Sequence, residues 1–324
     1  AVAPDGTLYI SEKGGFGSIR KVATNGTIST LQDSNENDLI FSEPRGLALT
    51  RDGDLLVAEY SGGRVSRVHQ ELDGSYSTGL VLNNLDFPID VAVGPDGNIY
   101  VAESVGALVH GLRPQGPWLN WAGHQGVPGD NCSVTYDQQA ASVPLRSMES
   151  LAAGPDGSVF IADPLDKHVH AVGVDGVLRK MAGYGRDVGI LCPQDWQDPD
   201  LGGLAIESRM HNLGGLAIDL DGSLLIGTKK GNGDFHHGRL YRLRSNGTLQ
   251  RIAGDDEDLE ADGYGNGWAA VSADLADVRG VTVAPDGSIY LVDSGTSDHY
   301  LVRRIKKGVL DWSSTGDHYI PSAD

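Results

Sequence analysis

The stretch "GPDGNIYVAE" at residues 94–103 has a close copy, "GPDGSVFIAD", at 154–163 and another, "APDGSIYLVD", at 284–293. Aligned on its Asp-Gly pair, the phrase occurs six times, at Asp5, Asp52, Asp96, Asp156, Asp221 and Asp286, 44 to 65 residues apart. Such a period with unequal gaps marks a repeat protein whose units are joined by loops of different length. A short apolar run precedes the pair, and Leu47, Val91, Leu151, Leu216 or Val281 stands five residues before the Asp. Asp-Gly is a tight-turn signal between strands, because glycine accepts positive φ without steric cost. A second strand follows ("NIYVAE"), then a third in which apolar and polar residues alternate ("SIRKV", "RVSRV", "HVHAV", "RLYRL", "LVRRI"). Asn-Gly or Asp-Gly often leads from there into a fourth strand ("TNGTIST", "VDGVLRKM", "SNGTLQRI"), and no sustained helical period occurs.

Four short antiparallel strands repeated six times predict an all-β fold, a six-bladed β-propeller of four-stranded antiparallel blades. One blade cannot bury both faces of its sheet, and stacked blades can. The 324 residues are expected to form a single propeller domain, with units of about 1–40, 41–84, 85–144, 145–209, 210–274 and 275–324. The first-strand apolar position of the first unit would fall at residue 0, so the chain is expected to be a segment of a longer polypeptide. The first unit supplies four strands of its own on this reading, and "GVLDWSST" at 308–315 would be the last blade's fourth.

The formal net charge is −19 and the isoelectric point is near 4.7. That balance excludes a nucleic-acid partner, which requires a basic face. No run of 18 apolar residues exists, so no helical membrane span is expected, and no signal peptide is visible.

Cys132 ("WAGHQGVPGDNC") and Cys192 ("MAGYGRDVGILC") occupy the same place in adjacent repeats. They are either a disulfide joining two neighbouring loops, which would imply an oxidising compartment, or two separate thiols. Asn25, Asn131 and Asn246 begin Asn-x-Ser/Thr sequons, and Asn-Gly-Thr is also good turn chemistry.

The pattern P-x-G, apolar, A, apolar, D-G, Y, A, D/E, followed by G-R and an alternating strand, resembles the NHL repeat. "SEPRGLALTRDGDLLVAEYSGGRVSRV" at 42–68 carries nearly all of it. The linkers after "WAG" and "IAG" resemble those of teneurins and of bacterial secreted or cell-surface NHL proteins. The resemblance spans essentially the whole chain. It departs where unit five ends in "IGT" and where Met148 replaces the usual proline. It implies the propeller fold and leaves function open.

The second strands end in Glu12, Glu59, Glu103, Asp163, Thr228 and Asp293. Because the acid recurs in nearly every unit, it is read as architecture, paired with Arg20, Arg67, Arg242 or Arg303. Ahead of the first strands stand Arg45, Asp90, Glu149, Asn212 and Arg279. Propeller hydrolases of the gluconolactonase and paraoxonase type hold Ca²⁺ at such a place, and Asp90, Glu149 and Asn212 are the candidate oxygen ligands. His236, His237 and His299, with Asp234 and Asp298, are weighed as a zinc set, and the acidic run "DDEDLEAD" at 255–262 as a weak calcium loop.

The expected function is a non-enzymatic extracellular or cell-surface scaffold that binds a protein or glycan partner and requires no cofactor. The linkers at 120–148, 182–212 and 254–277 would carry recognition, with Trp196, Tyr264 and Trp268 as anchors. The alternative is a Ca²⁺-dependent lactonase- or esterase-like hydrolase.

Overall fold

The structure, a computed structural model, describes residues 1–13, 17–113, 116–124, 136–184, 203–210, 212–230, 237–255, 269–294, 300–306, 309–315 and 318–320. It is an all-β, six-bladed β-propeller fold. Blade 1 holds β1 (Leu8–Glu12), β2 (Ser18–Val22) and β3 (Ile28–Thr30). Blade 2 holds β4 (Pro44–Leu49), β5 (Leu55–Glu59), β6 (Arg64–Gln70) and β7 (Tyr76–Leu82). Blade 3 holds β8 (Pro88–Val93), β9 (Ile99–Glu103), β10 (Leu108–Leu112) and β11 (Trp118–Ala122). Blade 4 holds β12 (Ser150–Ala153), β13 (Val159–Asp163), β14 (His168–Val172) and β15 (Leu178–Ala182). Blade 5 holds β16 (Leu213–Ile218), β17 (Leu224–Thr228), β18 (Leu240–Leu243) and β19 (Leu249–Ala253). Blade 6 holds β20 (Val278–Val283), β21 (Ile289–Ser294), β22 (Tyr300–Lys306), β23 (Val309–Thr315) and β24 (His318–Ile320). Each strand pairs with its neighbours in chain order. No helix among the described residues is long and apolar enough to cross a membrane.

Strand number departs from four at both ends of the series. In blade 1 the residues before β1 form an isolated bridge, Val2–Leu8, held by Ala3 N donating to Thr7 O and Tyr9 N donating to Ala1 O, each at 2.8 Å. The blade therefore has three strands where the sequence predicts four. In blade 6, β23 is the expected fourth strand, and β24 folds back on it as a fifth.

The Asp-Gly turns are locked by their own carboxylates. In blades 1, 3, 4, 5 and 6 the Asp Oδ1 accepts the amide two residues on, at 2.8–3.1 Å. In blade 2 the Thr50 hydroxyl accepts the Asp54 amide instead, at 3.1 Å.

By its contacts the chain divides into two compact units: Ala1–Gly129 with Val134–Val159 and Val172–Leu178, and Asp130–Ser133 with Phe160–Ala171 and Arg179–Asp324. In the first, β5 shows why a second strand is apolar throughout. Leu55 and Val57 pack with Ile19, Leu31 and Phe41 of blade 1, while Leu56 and Ala58 pack with Val91, Ile99 and Val101 of blade 3. Alternate side chains enter opposite sheet interfaces, so both faces are core. In the second unit, Leu225, Leu240, Ile289, Leu291 and Ile305 close the interface of blades 5 and 6 in the same way.

The three long linkers share one device. Among the described residues each returns through a 3-10 turn, Ala140–Ser142, Ala205–Glu207 or Ala270–Ser272, whose first alanine is fully buried. That alanine's carbonyl accepts the amide of Gly123, Gly183 or Gly254, the glycine just after the fourth strand. Those glycines have φ of 87–100°, and a Cβ on any of them would strike the carbonyl of Ala107, Lys167 or Gly238. This geometry requires the glycine of "WAG", "MAG" and "IAG".

Candidate functional site

The acid ending each second strand ties its blade together. Glu59, buried, accepts Arg64 at 2.7 and 2.8 Å, Ser66 at 2.5 Å and the Ser42 amide at 2.8 Å. Burial raises its carboxyl pKa, and the bonds from Arg64, Ser42 and Ser66 outweigh that, so the net shift is downward. Glu103 accepts the Asp86 amide at 2.9 Å and lies 3.0 Å from His110 Nε2. Asp293 takes the Ala276 and Asp277 amides and the buried Arg303 at 2.9 Å; burial still holds its carboxyl above the usual range. Glu12 takes Ser18 and Arg20, and Asp163 takes the Leu165 and Asp166 amides, with His170 Nε2 3.9 Å away. The acids of blades 2, 3 and 6 thus bind backbone just ahead of their own first strands.

Two expected pairs are corrected. Arg67 and Arg242 do not meet the acid series; they pair with Asp54 at 3.3 Å and with Asp219. Arg67 lies opposite Leu56 and Arg242 opposite Leu225, on the sheet face away from Glu59 and Thr228. Arg20 and Arg303 stand on the acid's face and pair as expected. The equivalent place holds Ser66 in blade 2 and His110 in blade 3.

The candidate calcium ligands occupy three different positions of the repeat, since Asp90, Glu149 and Asn212 stand six, seven and nine residues before their Asp-Gly pairs. Asp90, on β8, accepts its own Val91 amide at 2.9 Å, the Ser150 hydroxyl at 2.8 Å and the Leu151 amide at 2.7 Å. Both its oxygens are engaged, Oδ1 within β8 and Oδ2 fastening β8 to β12. Burial pushes its carboxyl up to about 6 despite those bonds, with Glu149 adding repulsion. Asn212, exposed at φ 33°, donates Nδ2 to the Lys230 carbonyl at 2.7 Å. No group of three or more His, Cys, Asp or Glu among the described residues is placed to hold a metal ion.

Of the histidine set, only His237 is described; its Nδ1 lies 3.0 Å from Asp274. His236, His299, Asp234 and Asp298 lie outside the described residues, as do Trp196, Tyr264, Trp268, Cys132, Cys192, Asn131 and all of the acidic run after Asp255. Asn25 and Asn246 sit on exposed turns, each accepting the amide of its sequon threonine, at 3.0 and 3.1 Å.

Sequence reasoning missed a surface cluster ahead of β4 and β8. The Arg45 guanidinium carbon lies 3.3 Å from the centroid of the Tyr60 ring, and Phe87 packs on Tyr60 at 5.0 Å. Glu43 holds Arg45 at 2.8 Å and also binds Ser61 and Lys13. The Arg45 and Ser61 bonds depress its carboxyl to about 2. The readable signal was the contrast of "SEPRG" with "DFPID", which puts an aromatic where a polar residue is expected.

With fold and geometry in place, comparison with known proteins gives the fold alone. No protein-family model matches the chain, and no curated protein matches it. Among solved structures it is similar to virginiamycin B lyase from Staphylococcus aureus, at 12% identity over 97% of this chain and 82% of that one, TM-score 0.53. It is also similar to a gluconolactonase from Xanthomonas campestris, at 15% identity over 86% and 76%, TM-score 0.53. A third is an auxiliary nutrient binding protein from Bacteroides ovatus, at 15% identity over 93% and 66%, TM-score 0.59.

Proposed function

We propose that the chain is an NHL-type propeller domain of an extracellular or cell-surface protein, acting as a non-enzymatic scaffold for a protein or glycan partner. One observation carries the reading: Asp90 has both carboxylate oxygens bonded within the fold, Oδ1 by the Val91 amide and Oδ2 by Ser150 and Leu151 of β12. The second-strand acids are likewise bonded within the fold, which leaves recognition to the surface. A Cys132–Cys192 disulfide and glycans on Asn25, Asn131 and Asn246 belong to the same reading. The test is hydrolysis of a lactone and ester panel with Ca²⁺ supplied. Wild type and Glu149→Gln are expected to match buffer. Turnover that Glu149→Gln abolishes would make the chain a hydrolase.

A further inference from the structure

The loop ahead of β8 turns two side chains outward on a fixed backbone. The Asp86 amide is held by Glu103 at 2.9 Å, and the Phe87 carbonyl accepts the Ser104 amide at 3.1 Å. Phe87 is 44% exposed and has φ of 55°. A bulky aromatic in the left-handed region is an outlier, and here it gains little burial in return. The equivalent positions hold Glu43, at the same φ, and Asn212. The backbone therefore asks for a left-handed residue, and what phenylalanine gains within the chain is its ring contact with Tyr60. Asp86 is exposed, and its carboxylate accepts no hydrogen bond among the described residues. Next to Ser104, Val105 adds exposed apolar surface.

We propose that Asp86 and Phe87 anchor an arginine-bearing segment of a protein partner, whose guanidinium lies on the Phe87 ring and pairs with the Asp86 carboxylate. Arg45 on Tyr60 shows the same cation-on-ring contact a few ångströms away, made within the chain. Charge complementarity selects the occupant. A surface of net charge −19 draws basic segments and repels a second copy of itself. The proposal rests on the scaffold reading and names the chemistry of its partner.

The experiment is a fluorescence anisotropy titration of the full chain with a short Gly-Ser peptide carrying arginines, against the same peptide with citrulline in their place. Phe87→Asn leaves the net charge unchanged and suits the left-handed backbone, so it should fold; a thermal melt checks this. Phe87→Asn and Asp86→Asn are each expected to weaken the arginine peptide about tenfold, and the citrulline peptide should not bind. Undiminished binding by Phe87→Asn would overturn the site, since attraction would then be diffuse, while leaving the scaffold reading intact. Absence of binding by wild type, or self-association of wild type in place of peptide binding, would overturn it as well.

Discussion

Gly46 of β4 lies against Asp90 of β8 so closely that a Cβ on the glycine would collide with the aspartate's carboxylate and Cα. Gly215 meets Gly280 of β20 in the same manner. First strands approach here backbone to backbone, and Asp90 uses the contact to reach across to β12. Gly46→Ala is expected to destabilise the fold by about 1–3 kcal/mol through overpacking. Gly79→Ala, with nothing within 4 Å of the new methyl, should be close to neutral. Urea denaturation of both variants checks the contrast.

Two buried groups titrate with opposite sign. The Asp90 carboxyl sits at about 6, above its ordinary 3.8, so its contribution is fully present below pH 3.8 and is lost as pH rises through 6. His168 is held down at about 3 by burial, with His170 and Lys180 beside it. Its contribution is present above pH 6.5 and is lost as pH falls toward 3. Between pH 4 and 6 the two oppose each other, each with a slope of up to about 1.4 kcal/mol per pH unit. Asp90→Asn is therefore expected to make the protein more acid-labile than wild type across that window, and His168→Gln less so. Stability measured at several pH values for the three proteins reads this directly.

Arg64 and Arg67 lie three residues apart and should differ sharply. Arg64→Ala leaves the buried Glu59 carboxylate with Ser66 and a single amide, and is expected to cost about 2–4 kcal/mol. Arg67 pairs with Asp54 at 3.3 Å, and Asp54 keeps His69 at 2.6 Å without it, so its removal should cost less than about 1 kcal/mol. Paired denaturation curves test it.

The blades, their order and the second-strand cores were legible in the sequence, because the Asp-Gly turn and strand alternation are local signals. The ion-pair partners were not. Arg20 and Arg67 both stand eight residues after their acids, yet only Arg20 meets its own. Glu12 lies opposite Ser18, and Glu59 lies opposite Arg64, so one turn is a residue longer and reverses the face that follows. Sequence spacing cannot show that slip. Asp90 stood out as a candidate calcium ligand, but its bonds across to β12 were not legible, for a related reason. It reads as one of several polar residues before a first strand, and its role depends on Ser150 and Leu151, some sixty residues on.

Phe87 holds its backbone at a cost. Phe87→Asn is expected to raise stability by about 0.5–1 kcal/mol, as an increase in melting temperature, because asparagine accepts the left-handed region more readily. A fall would show that the ring's contact with Tyr60 outweighs the strain.

If Asp90 serves the fold and recognition falls to the surface, as proposed, calcium should not change the stability of the chain. A thermal melt of the unreduced chain in Ca²⁺ and in EDTA tests it most directly, since a ligand bound only by the native state raises the melting temperature. Coincident curves are expected. A calcium-dependent rise of several degrees that Asp90→Asn abolishes would contradict it and place a metal where the structure shows a hydrogen-bonded carboxylate.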